Sequence, residues 1–124
     1  MIGRADEEFE RWQKFAKLYN AHQFRTYEEL LEAKPDAVII TSENSKHRRL
    51  VEMAAEAGCH ILCEKPLATH LEDARAILET CIQREVILGT AFPVRFSPAV
   101  EIVKKRLDGG DLGQVYCFNG TNQG

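Results

Sequence analysis

Residues 37–66, AVIITSENSKHRRLVEMAAEAGCHILCEKP, decide the fold. Ala37-Val38-Ile39-Ile40-Thr41 is an unbroken apolar run rich in β-branched residues, the composition of a strand buried on both faces. Asn44 or Ser45 can cap a following helix, which would carry Leu50, Val51, Ala54 and Ala57 on its inner side. Gly58 can take the left-handed conformation that stops it. His60 to Glu64 then predicts a second buried strand. A strand, a helix and a strand joined by links of a few residues imply a right-handed crossover between parallel neighbours.

The alternation continues in both directions. Downstream, Thr69 and Glu72 have the spacing of a capping box, opening a helix with Leu71, Ala74, Leu78 and Cys81 on one side. Val86-Ile87-Leu88-Gly89-Thr90 predicts a third strand. Ser97-Pro98 opens another helix, which ends in Lys104, Lys105 and Arg106 before Gly109-Gly110. Val115-Tyr116-Cys117-Phe118 reads as a last strand. Upstream, Phe9, Trp12, Ala16 and Tyr19 share a helix face between Glu7 and Asn20. A short link from His22 to Arg25 leads to a small helix over Tyr27 to Ala33, and Pro35-Asp36 punctuates before residue 37. The fold class is α/β with a doubly wound parallel sheet. Its one domain boundary is expected near Gly110.

At 124 residues, the chain is long enough for one ordinary domain. Its 44% hydrophobic and 28% charged content predicts a globular chain, not a disordered one. A net charge of -3 argues against a dedicated nucleic-acid binder. The basic groups Lys46 to Arg49 and Lys104 to Arg106 fit the solvated faces or ends of helices. Neither a membrane-spanning apolar stretch nor a secretory signal is evident. Cys59, Cys63, Cys81 and Cys117 lie in apolar segments without disulfide-framework spacing, so reduced thiols and a cytoplasmic location are expected.

In an open parallel sheet, ligands gather beyond the carboxyl ends of the strands. Thr41-Ser42-Glu43-Asn44 with His47, Glu64-Lys65-Pro66, and Gly89 to Phe96 all fall there. Lys65 directly follows a buried strand and is confined by Pro66. Its ammonium can hold a substrate hydroxyl and stabilise oxygen charge as a hydride leaves the adjacent carbon. The plain alternative is a surface lysine in a salt link with Glu64. His47 is either a ligand contact or an ordinary polar residue at a helix start. Arg95 suits a carboxylate or phosphate, or else a structural ion pair. Cys59 and Cys63 have zinc-like spacing, but they lie on or beside a buried strand and lack a second ligand pair, so no metal is expected. No G-x-G-x-x-G phosphate loop is present.

Taken in order, these motifs resemble the Gfo/Idh/MocA oxidoreductases. Glu64-Lys65-Pro66 after a strand is similar to that family's Glu-Lys-Pro signature, with Ala57 to Cys63 as its approach. Thr41 to His47 resembles its Thr-Pro-Asn-x-x-His loop, with Ser42, Asn44 and His47 in register. Gly89 through Arg95-Phe96 and Pro98 resembles its Gly-x-x-x-x-x-Arg-Phe-x-Pro element. Gly110 to Val115 is similar to the step into its second domain.

The resemblance implies a Rossmann-like domain over 1–110, truncated at its first β-α unit, with 111–124 opening a substrate and oligomerisation domain. The family's Gly-rich strand is expected before residue 1, and its proton-handling aspartate and histidine beyond Gly124. It implies an NAD- or NADP-dependent enzyme acting on a sugar, polyol or similar alcohol, homo-oligomeric at full length, with no nucleic acid or membrane partner. Lys65 would be catalytic. Asp6, Thr41, Ser42, Asn44, His47, Glu64, Lys65, Pro66 and Arg95 would meet the cofactor. Asp6 would suit the adenosine ribose, whereas nearby Arg4 would suit a 2′-phosphate. Glu43 replaces the family's proline, bringing a carboxylate close and loosening the loop. The alternatives are a dinucleotide- or partner-binding module without turnover and a truncated chain without function.

Overall fold

The computed structural model describes residues 3–5 and 16–121. Residues up to Ala91 form one compact unit, and those from Phe92 onward form another.

In the first unit, β1 (Gly3–Ala5) runs parallel to β2 (His22–Phe24), with Gly3 opposite His22 and Ala5 opposite Phe24. The predicted link from His22 is therefore largely strand. At three residues it is too short to show a period of two, and pairing with β1 satisfies its backbone groups. A helical turn over residues 16–19 precedes it, closed by the left-handed Asn20 at φ 49°. Next comes α1 (Tyr27–Glu32), capped where Thr26 Oγ1 accepts the Glu29 N–H at 3.1 Å.

A second sheet follows as β3 (Ala37–Ile40), α2 (His47–Glu56), β4 (His60–Glu64), α3 (Leu71–Gln83) and β5 (Leu88–Ala91). Its strands are parallel in the order β3-β4-β5, with Ile40 opposite Cys63 and Glu64 opposite Ala91. Val38, Ile40, Ile61 and Cys63 pack with Val51, Ala54 and Ala55 of α2 and Ile77 and Cys81 of α3. The alanines let α2 lie close to the sheet. Burial on both faces, as predicted for these strands, holds on one face only. Ile39 is 72% and Leu62 42% exposed, since among the described residues no layer covers that side.

The predicted starts of α2 and α3 shift. Asn44–Lys46 form a 3-10 turn, α2 begins at His47, and no side chain caps it. The turn is closed instead by Lys46 N–H donating to the Glu43 carbonyl at 2.8 Å. His70 occupies the cap position of α3 without a side-chain bond, which moves Glu72 out of capping-box register. The inner stripe of α3 is Ile77 and Cys81, while Leu71 and Leu78 face solvent. The predicted end of α2 stands: Gly58 has φ +78°, and Cys59 N–H donates to Ala54 O at 3.0 Å.

The second unit holds a 3-10 turn, Pro93–Phe96, and α4 (Pro98–Asp108). Ser97 Oγ accepts the Val100 N–H at 3.4 Å, the expected cap, and the helix closes at Gly110 with φ +77°. Val115 to Phe118, predicted as a strand, is irregular and exposed. Among the described residues it has no partner strand, and an isolated strand leaves its backbone groups unpaired.

Candidate functional site

Because Ile40 pairs with Cys63, the chain leaves β3 at Thr41 close to where Glu64 ends β4. Two loops thus emerge side by side at the carboxyl ends of neighbouring parallel strands, where a ligand crevice is expected. Thr41, Asn44, Lys65 and Pro66 are exposed, and Ser42 and Glu64 are half-buried.

His47 joins the two loops. As the first residue of α2, it lies at the strand ends with its ring wholly buried. Its Nδ1 is 2.9 Å from the Pro66 carbonyl oxygen, and its Nε2 is 3.1 Å from that of Ser42. A ring nitrogen that carries hydrogen donates to its carbonyl. The neutral ring has one such hydrogen and the doubly protonated ring has two. Sequence reasoning placed His47 at this site without finding the tie.

Glu64 directs a carboxylate oxygen at the backbone of Lys65, whose N–H donates to Oε2 at 3.0 Å. The peptide between Lys65 and Pro66 is cis. No carboxylate among the described residues pairs with the Lys65 ammonium, so the salt link to Glu64 is not made. Glu43 has φ -63°, the angle that proline would fix, and its carboxylate pairs with Lys46 at 3.1 Å. The loop thus keeps the proline-type backbone, and the extra charge has a counter-ion.

The other basic residues nearby serve the helices. Arg48 spans Glu52 at 2.9 Å and Asp73 at 2.8 Å, linking α2 to α3, and Arg49 reaches Glu28 at 3.2 Å. Tyr27 donates its hydroxyl to Leu50 O at 3.0 Å, tying α1 to α2, and burial pushes its phenol pKa up, so it stays protonated. A shallow hollow between α1 and α2, floored by Leu31 and Met53, is rimmed by Glu28, Glu32 and Glu56.

Cys59, Cys63 and Cys81 are buried free thiols. Burial pushes all three up, and the Glu64 charge adds to the rise at Cys63, which reaches about 11. These thiols resist forming the thiolate that a nucleophile or metal ligand needs. His60 Nδ1 accepts the Ile87 N–H at 3.1 Å at the amino end of β4, opposite the end that carries Lys65. Among the described residues, no three His, Cys, Asp or Glu side chains converge as a metal set.

The fold therefore brings together Thr41, Ser42, Asn44, His47, Glu64, Lys65 and Pro66. Arg95 is exposed on the 3-10 turn of the second unit. Asp6 lies outside the described residues.

Comparison with known proteins gives this geometry a family. The model of the Gfo/Idh/MocA oxidoreductase family, NAD-binding Rossmann fold, matches residues 1–92. Levoglucosan dehydrogenase of Pseudarthrobacter phenanthrenivorans is 38% identical over 84 residues, 68% of this chain and 22% of that protein. D-xylose 1-dehydrogenase [NADP(+)] of Haloarcula marismortui is 35% identical over 100 residues, 77% of this chain and 28% of that protein. The WlbA dehydrogenase of Bordetella pertussis, solved with NADH and UDP-GlcNAcA, superposes with a TM-score of 0.86 at 26% identity. That match covers 94% of this chain and 34% of the other. The chain thus spans about a quarter of the length of these curated relatives. With a family match over most of its length and parallel strands to agree with it, the chain belongs to the Gfo/Idh/MocA oxidoreductases, the family with an NAD-binding Rossmann fold.

Proposed function

We propose that the chain carries part of the site of an oxidoreductase moving hydride between NAD or NADP and a sugar, polyol or similar small alcohol. The observation that carries this reading is the exposed Lys65 ammonium at the carboxyl end of β4, without an acidic partner among the described residues.

The donor set suits a nicotinamide dinucleotide. The hydroxyls of Thr41 and Ser42 and the amide of Asn44 can bind ribose hydroxyls, phosphate or carboxamide, and Pro66 offers an apolar edge. When bound, the coenzyme gives or takes the hydride. Lys65 donates a hydrogen bond to the substrate oxygen and holds the negative charge that develops there. Glu64 fixes the Lys65 backbone from which the side chain departs. Asp6 takes a ribose hydroxyl, and Arg95 a phosphate or carboxylate.

Proton transfer belongs to a second domain, of which residues 111–124 are the start, and the full-length protein is homo-oligomeric. The short span of the relatives' length supports this division. Positioned acid–base groups contribute about a hundred- to ten-thousand-fold, so the isolated chain binds coenzyme without measurable turnover. Titration with NADH or NADPH, followed by nicotinamide fluorescence, tests the reading. Saturable binding of one coenzyme is expected, with Lys65→Ala weakening it less than about tenfold. Binding of neither contradicts it.

A further inference from the structure

We infer that His47 is a positioning residue: it clamps the Ser42 loop to the Pro66 loop and so sets where Lys65 stands, without touching coenzyme or substrate itself. The consequence for Lys65 rests on the function proposed above; the clamp rests on geometry alone.

The ring is wholly buried, which keeps a ligand from its edges. Both nitrogens already face carbonyl oxygens, at 2.9 Å and 3.1 Å, on loops that leave different strands, and holding both loops at once takes the doubly protonated ring, with one N–H donating to each carbonyl. Pro66 directly follows Lys65, so a bond to its carbonyl restrains the backbone that carries the ammonium. Ser42 precedes the turn at Asn44–Lys46, so the other contact restrains the residues proposed to meet the coenzyme. Among the described residues, His47 is also the one buried polar or charged side chain beside an otherwise apolar core. A residue retained only to fill space there would not need two polar edges.

Hydrogen–deuterium exchange on the chain without coenzyme tests the clamp. His47→Phe fills the volume but donates nothing. It should accelerate exchange about tenfold in both segments 41–46 and 64–68, leaving α3 unchanged. His47→Gln has N–H donors on one nitrogen and should restore protection in one of the loops, including if the phenylalanine variant fails to fold. Faster exchange in one loop only, in neither, or equally across the first unit would overturn the clamp, as would failure of glutamine to rescue. In a coenzyme titration, His47→Phe should bind about tenfold more weakly and His47→Gln less so. Loosened loops with unchanged affinity would overturn the positioning role. A wild-type chain that binds no coenzyme would count against the proposed function, with exchange still deciding the clamp.

Discussion

Lys65 and its neighbours separate what holds the fold from what serves the site. The Lys65 backbone is held by Glu64, while its ammonium is exposed. Lys65→Ala should therefore leave stability within about 0.5 kcal/mol of wild type, the usual range for a surface change. A melt showing a much larger loss would mean that the ammonium has a structural partner. Cys63 gives a second expectation. Its thiol is raised from 9.0 to about 11 in the folded chain, chiefly by burial. The unfolded chain thus loses that proton first. Stability from this group is complete below pH 9 and disappears as pH rises towards 11, a loss of about 2 to 3 kcal/mol. Cys63→Ala should flatten that alkaline decline in pH-dependent denaturation. The location of Lys65 was legible because an apolar β-branched run ends directly before it. The role of His47 was not, because its acceptors lie five and 19 residues away, at spacings that no helix or strand period encodes.

The β3–α2–β4 unit was the most legible element, since a β-branched run, an apolar helical spacing and Gly58 all predict one crossover. Gly58 has φ +78°, and a Cβ built there meets nothing within 4 Å. Gly58→Ala should cost about 1 kcal/mol from backbone conformation alone, and Gly58→Asn less, as equilibrium unfolding would show. No loss with alanine would mean that α2 can end without the left-handed turn. Helix α3 was read with its stripe displaced, because Leu71 and Leu78 share a helical spacing that the sheet does not use. Ile77 is the residue it buries fully. Ile77→Ala should cost about 2 to 5 kcal/mol, whereas Leu78→Ala should cost far less. The final strand was misread for a related reason: the apolar run at Val115 to Phe118 has, among the described residues, no partner strand to bond with.

At the scale of the whole molecule, the strands among the described residues fall into two parallel pieces, β1-β2 and β3-β4-β5. A doubly wound sheet of order 3-2-1-4-5-6 leaves such a pair and triplet when its first strand is taken out. The doubly wound parallel sheet was legible in the sequence; the face at Ile39 and Leu62, uncovered among the described residues, was not, since composition cannot say which layers are present. The proposed function requires this sheet to present a nicotinamide-coenzyme site at its strand ends. The most direct test is a thermal melt of the 124-residue chain, alone and with excess NADH or NADPH. A cooperative transition raised by one coenzyme is expected, by about 2.7 kcal/mol at a hundredfold excess over Kd. A transition that neither coenzyme moves, or no cooperative transition at all, would contradict the claim.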